Sequence, residues 1–185
     1  LHGQADKEIG DVTTSFGLRG DYVSDFELFP AVSIGLCYAI REQSLVKANF
    51  GYSVDVPTFG QLYQPAHGSI DQVRGNPDLS EEKKYSYDLC LEHRFETGID
   101  FQTSLFRTDT HDLIQYDRGA DFVYRPVNID RAYRQGMEFS LKLNPKNNVA
   151  IDLNYIWQKS KNKKTGDELT YTPRHKGKIT GKIKR

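Results

Sequence analysis

The chain has 185 residues, 27% of them charged, with 25 basic side chains offset by 25 acidic ones and a mean hydropathy of −0.64. No run approaches the roughly 20 consecutive apolar residues of a membrane helix, and a net charge of zero is unlike the clustered basic excess of a nucleic-acid-binding domain, so no nucleic-acid partner is expected. Two cysteines are too few for a disulfide framework, while 11 Tyr and 10 Phe against one Trp and one Met tilt the composition towards β-structure.

The dominant signal along the chain is alternation with a period of two. In 12–22 the even positions Val12, Phe16, Leu18 and Tyr22 are apolar, and Thr13, Ser15, Arg19 and Asp21 oppose them. The next stripe is Val32, Ile34, Leu36, Tyr38 and Ile40, followed by Val46, Ala48, Phe50 and Tyr52. In 85–95 the apolar face holds Tyr85, Tyr87, Leu89, Leu91 and Phe95, with Ser86, Asp88, Cys90, Glu92 and Arg94 opposite. The segment 99–107 alternates until Phe106 breaks step; 137–143 restores the pattern with Met137, Phe139, Leu141 and Leu143. Val149, Ile151, Leu153, Tyr155 and Trp157 form the seventh stripe, and a poorer one closes the series with Ile179 and Ile183. The reading is an all-β chain, an antiparallel up-and-down meander of about eight long strands.

Links alternate in length. Those near 41–44, 96–98 and 144–148 are short; those near 24–30, 54–80, 108–126 and 161–169 are long and polar. Tight turns on one side and long loops on the other are the pattern of an outer-membrane barrel, with both chain ends then on the periplasmic side.

Alternation alone does not say what touches the apolar face. A soluble barrel would turn it inward, a transmembrane barrel outward to lipid. Three features favour lipid: stripes of about 9 to 11 residues, long enough to cross hydrocarbon as tilted strands; aromatic residues such as Tyr22, Tyr52, Tyr85 and Trp157 at stripe ends; and abundant glycine and charge on the other face. The lipid-facing candidates are Leu18, Ile34, Leu36, Phe50, Leu89, Leu91, Phe139, Leu141, Ile151 and Leu153.

Five segments carry a family resemblance. Val56-Pro57-Thr58-Phe59-Gly60-Gln61-Leu62-Tyr63, Gly75-Asn76-Pro77-Asp78-Leu79-Ser80-Glu81-Glu82, Leu105-Phe106-Arg107-Thr108-Asp109 with Asp112-Leu113-Ile114, Val127-Asn128-Ile129-Asp130-Arg131-Ala132 with Gln135-Gly136-Met137-Glu138, and Tyr171-Thr172-Pro173-Arg174-His175-Lys176-Gly177 resemble, in order and spacing, segments of TonB-dependent outer-membrane receptors. The resemblance covers roughly 50–180. It implies bacterial outer-membrane localisation and import of a scarce ligand, an iron-siderophore complex or cobalamin, by a barrel of 22 strands around a plug that TonB acts on. This sequence supplies about eight such strands, no plug-like segment and no TonB box, and it ends in Ile183-Lys184-Arg185 rather than a closing aromatic residue; the expectation is that 1–185 is one partial barrel domain, a slice of the wall. Two alternatives stay open: a free-standing eight-stranded adhesin or structural barrel, and a soluble ligand-binding barrel.

In the receptor reading, Tyr63, Arg74, Tyr116, Arg118, Tyr124 and Arg125 lie on outer loops and supply the aromatic faces and cations that suit an anionic metal chelate. The bland alternative, ordinary polar loop residues, applies to each of them singly. Asp109, His111 and Asp112 are read as a solvated loop entry rather than a metal site, since no second ligand cluster accompanies them. No catalytic set stands out, and neither enzymatic activity nor a cofactor is expected. Cys37 and Cys90 fall on the polar face two strands apart, about 10 Å, and are expected as free thiols; Lys176, Lys178, Lys182 and Lys184 share one strand face as a lumen stripe.

Overall fold

The computed structural model describes residues 2–23, 26–68, 72–146, 149–169 and 172–183; Tyr171, Lys184 and Arg185, part of the 144–148 turn and part of the 24–30 link lie outside the described residues. Nine strands run in chain order: β1 (His2–Ile9), β2 (Val12–Val23), β3 (Phe26–Arg41), β4 (Ser44–Asp55), β5 (Glu82–Phe95), β6 (Ile99–Arg118), β7 (Tyr124–Lys146), β8 (Val149–Asn162) and β9 (His175–Ile183). Each pairs antiparallel with the next, and the sheet order equals the sequence order. One short helix, α1 (Phe59–Tyr63), lies in the β4–β5 connection.

The tight turns follow from backbone chemistry. Gly10, with φ +59°, makes the two-residue β1–β2 turn, and Gly98, with φ +80°, ends the three-residue β5–β6 turn, conformations a side chain disfavours.

Two expectations change here. The described residues form nine strands where about eight were expected; the additional one is β1, HGQADKEI, which is exposed at every position and carries no alternation. Since β1 runs from the long-loop end to the short-turn end, the described ends lie at opposite rims, not both on the periplasmic side. The second change concerns closure. Among the described residues β1 and β9 each pair on one side only, and an odd count makes them run the same way, so the closed eight-stranded barrel is not this structure.

Register puts all the predicted apolar stripes on one face. Phe16 sits opposite Ile34, Ile34 opposite Phe50, and Phe50 opposite Tyr87; Leu141 opposes Leu153, and Leu89 opposes Leu105. The opposite face carries Lys47 bonded to Glu92 at 2.7 Å, Arg94 to Asp100 at 3.1 Å, and Ser140 to Asn154 at 3.0 Å. The terminal lysines Lys176, Lys178 and Lys182 pair with Ile156, Asn154 and Ala150 on that charged face. Cys37 and Cys90, both free, flank Lys47 in register there.

Burial says which way the sheet bends. The buried strand residues Cys90, Ser104, Thr110, Ala132 and Ser160 all belong to the charged face, whereas Leu18, Ile34 and Leu89 on the apolar face remain about half exposed. Side chains crowd on the inside of a curve, so the charged face is the concave one. Among the described residues the stripe side stays exposed rather than enclosed, unlike the inward apolar face of a soluble cavity-lining barrel.

The slope of the apolar band supplies a second test. Along β2 it spans 12–22, along β8 149–157, and the register aligns Thr14 with Leu36, Ala48, Leu89, Leu105, Met137 and Trp157. Relative to that row, the centre of the band slides by about seven residues over six strand steps, which at roughly 3.4 Å per residue and 4.8 Å per strand is an inclination near 40°. Strands of outer-membrane barrels tilt by about 35–45°. A band that slants across the hydrogen-bond rows by this angle lies level in a flat membrane.

Phe106, which broke the alternation, faces the concave side over Gly136. A Cβ on Gly136 would lie 2.9 Å from the Phe106 ring and 2.2 Å from the Trp157 carbonyl, and the Arg134 guanidinium covers the ring at 5.3 Å.

Candidate functional site

At the long-loop end, β6 and β7 continue as a paired ribbon well past the apolar band, to Arg118 opposite Tyr124. The 108–126 segment is therefore mostly strand, not the loop its composition suggests; the turn proper is 119–123, closed by Phe122 N donating to Gly119 O at 2.9 Å. Outside the membrane both faces of a ribbon are wet, so the polarity difference that writes a period of two disappears.

The 56–81 connection folds onto this ribbon. Thr58 caps α1: its hydroxyl accepts from Gln61 N at 3.3 Å, while Gln61 Oε1 accepts from Thr58 N at 2.8 Å, a capping box. Leu62 and Leu79 are buried in this unit. Gly75 N donates to Gln64 O at 2.9 Å and Asn76 N to Gln61 O at 2.7 Å. A Cβ on Gly75 would stand 2.6 Å from Gln64 N and 2.7 Å from Leu62 O, so the close approach requires glycine.

Four groups then lock the unit to β7. Arg74 N donates to Tyr124 O at 2.9 Å, Tyr124 N donates to Gln72 O at 2.7 Å, and Asn76 Nδ2 donates to the carbonyl of the fully buried Pro126 at 3.0 Å. Asn128 is the central fastener: Oδ1 accepts from Ser80 N at 2.8 Å, and Nδ2 donates to Ser80 O at 2.9 Å and Asp112 O at 2.7 Å. Asp112 itself has φ +56°.

These contacts sort the six predicted loop residues. Arg118 lies 4.8 Å over the Phe122 ring and 5.7 Å over that of Tyr124. Tyr116, two residues further in, shares their face, opposite Pro126. Arg74 meets Tyr124 through the backbone, and Tyr63 stands exposed on α1, its ring 6.1 Å from Phe59, in the same packed unit. Arg125 is not in this group. Paired with Asp117, it falls on the other face, where it grips Asp121 at 3.0 and 2.7 Å and holds that carboxyl at a pKa of about 2.

The segment 109–112 is not simply solvated. Asp109 takes Arg107 at 2.7 and 2.9 Å and Lys163 at 2.6 Å, and these two cations hold its carboxyl at about 2. Arg107 also donates to Gln135 Oε1 at 2.8 Å and lies 5.0 Å over the Tyr133 ring. Among the described residues no group of three or more His, Cys, Asp or Glu stands ready for a metal ion. Neither Asn128 nor the Arg107, Asp109 and Lys163 set was legible from spacing, since both join residues from distant strands. Phe122 escaped because its role depends on a turn with φ +61°.

Residues 1–183 match the family model for the β-barrel of TonB dependent receptor-like proteins. The ferric enterobactin receptor of Pseudomonas aeruginosa is 27% identical over 86% of this chain, which spans about a quarter (24%) of that relative. A crystal structure of that organism's ferric enterobactin receptor in complex with enterobactin superposes with a TM-score of 0.75 at 24% identity, covering 94% of this chain and 28% of that one. The siderophore receptor PirA from Acinetobacter baumannii has a TM-score of 0.75 at 19% identity (97% and 30% covered), and the copper transporter OprC 0.77 at 16% (100% and 32%); at such identities the likeness is one of fold. The matched family is one of receptors and transporters. With its apolar convex face, its band inclined like a barrel wall and a family match over nearly every residue, the chain belongs to the TonB-dependent receptors of the bacterial outer membrane, as part of their β-barrel.

Proposed function

We propose that residues 1–185 are one stretch of barrel wall in a receptor that imports a ferric siderophore, driven by TonB acting through a plug. The observation that carries this reading is the outer cluster of Arg118, Phe122, Tyr124 and Tyr116 on the lumen-side face of the β6–β7 ribbon, with the α1 unit fastened to β7 beside it. Aromatic rings stack on flat catecholate or hydroxamate arms, and a guanidinium satisfies the negative charge of a ferric chelate. The relative named for ferric enterobactin supports this class over cobalamin, whose corrin ring calls for less charge. The segment contributes wall, lumen surface and outer vestibule; membrane lipid is its solvent and the ligand its transient partner. Arg118 stands at the centre of this reading, with Tyr116, Tyr124, Arg74 and Tyr63 around it; Arg125 lies on the other face, against Asp121.

The test is binding and uptake by the whole receptor that carries this sheet, with a ferric tris-catecholate and with cobalamin as separate probes. Arg118→Ala should weaken binding of the ferric chelate by about tenfold, the loss of one charge-assisted contact, and leave cobalamin unaffected. Cobalamin uptake abolished by the same change would replace the siderophore reading with the corrinoid one.

A further inference from the structure

At its inner, short-turn rim the convex band ends in apolar residues on both flanks of the sheet: Ile9 beside Val12 on β1 and β2, Phe95 beside Ile99 on β5 and β6, then Leu143 and Val149 on β7 and β8. One polar notch interrupts this edge. Where β3, β4 and β5 meet, Ser44 stands opposite His93 on the lipid-facing side, Arg41 pairs with Ser44, and Glu42 and Gln43 make the turn between them. Ser44 Oγ and His93 Nδ1 share a hydrogen bond of 2.8 Å, and the His93 ring stands edge-on to Phe95 with centroids 4.2 Å apart. An ionisable side chain on a lipid-facing surface is costly unless something polar meets it. The notch is a cleft of about 620 Å³, a volume ordinary for a small-molecule site, with Arg41, Glu42, Ser44 and His93 at its turn end and Ile40 and Leu91 on the hydrocarbon side. Among the described residues neither Arg41 nor Glu42 makes an ion pair, whereas Glu92, one step from His93 along β5, faces the concave side and is held there by Lys47.

The cleft opens away from the lumen, so a ligand in transit does not meet it. We propose that it seats the headgroup of an inner-leaflet phospholipid of the phosphoethanolamine type, with the phosphate on Arg41, Ser44 and His93 and the ammonium on Glu42. Depth and charge both select this occupant. Arg41 and Glu42 lie just past the end of the apolar band, at headgroup level, while Ser44 and His93 mark its last polar step, and the acyl chains run up the sheet over Ile40 and Leu91. One cation and one anion side by side in a turn match a headgroup that carries both signs, since a guanidinium binds a phosphate through paired charge-assisted hydrogen bonds and a carboxylate accepts from an ammonium. A purely anionic headgroup would leave Glu42 facing a like charge, and a choline headgroup brings it no N–H donor, so Glu42 supplies the discrimination. The inference rests on the membrane placement of the band and is independent of which ligand is imported.

The test is native mass spectrometry of the whole receptor that carries this sheet, in detergent, titrated with phosphatidylethanolamine, phosphatidylglycerol and phosphatidylcholine of identical acyl chains, and with free phosphoethanolamine as competitor. The unaltered protein should retain phosphatidylethanolamine about tenfold more tightly than either of the others, the worth of one charge-assisted contact. Arg41→Ala should weaken binding of phosphatidylethanolamine and phosphatidylglycerol alike by about tenfold, whereas Glu42→Gln should erase the preference between those two. Lys142→Gln, a charge change at the same rim but on the concave face opposite Asp100, should alter neither. Equal affinity of the unaltered protein for all three lipids, a preference that survives Glu42→Gln, equal losses in Arg41→Ala and Lys142→Gln, or full displacement of the lipid by millimolar free phosphoethanolamine would each overturn the proposal, the last in favour of a soluble-ligand site.

Discussion

The membrane band of β2 to β8 and the outer ribbon of β6 and β7 are built from the same antiparallel ladder, yet they are held by different forces. In the band, each residue faces either hydrocarbon or a wet concave surface, and the difference between those media orders the sheet. In the outer ribbon both faces meet water, and cohesion passes to discrete fasteners: Asn128 with its three hydrogen bonds, the Asp109 clamp, and the tucked unit of α1 with Leu62, Gly75 and Leu79. The contrast shows why one part of a barrel tolerates exchange of side chains within a class while the other depends on individual groups.

The largest effect should come from violating the medium. Leu89→Arg, on the convex face, is expected to cost about 2–4 kcal/mol near the bilayer midplane, whereas Asn49→Arg, on the concave face beside Asp88, should fall within about 0.5 kcal/mol. Urea unfolding of the lipid-embedded receptor measures both, and equal costs would erase the distinction between the two faces.

Next is Asn128→Ala, which strands Ser80 N and O and Asp112 O. The expected loss is about 1–3 kcal/mol, confined to the outer region, so amide exchange should accelerate in 72–82 and 124–130 while the band stays protected. Uniform acceleration across the sheet would mean that the two regions unfold as one.

The smallest effect is electrostatic. Asp109 titrates at about 2 in the folded protein against an ordinary value of 3.8. A depressed carboxylate stabilises the fold above its unfolded pKa, and that contribution is lost as pH falls from about 4 through 2. Protection of the β6–β8 outer segments should drop in this window, and Asp109→Asn should flatten the dependence. A variant with an unchanged acid profile would show that Lys163 and Arg107 are not held through Asp109.

Much of the band was legible residue by residue. All ten predicted lipid-facing side chains fall on the one apolar face, because alternation records a contrast of media directly. The strand β1 was silent, since its exposed residues record none, and 108–126 read as loop for the same reason. At the outer cluster, sequence pointed to Tyr116, Arg118 and Tyr124 as residue types, but it grouped Arg125 with them although one step along a strand reverses the face.

By itself, then, the sequence determined that long strands alternate, where most of them turn, and which family they resemble. Only the tertiary structure decided that the charged face is concave, that the apolar band slopes near 40° across the rows, and that Asn128 and Asp109 each join separate strands. Periodicity is a property of neighbours in the chain, whereas curvature, slope and fasteners arise from register between strands, where residues up to 54 positions apart, Asp109 and Lys163 among them, come into contact.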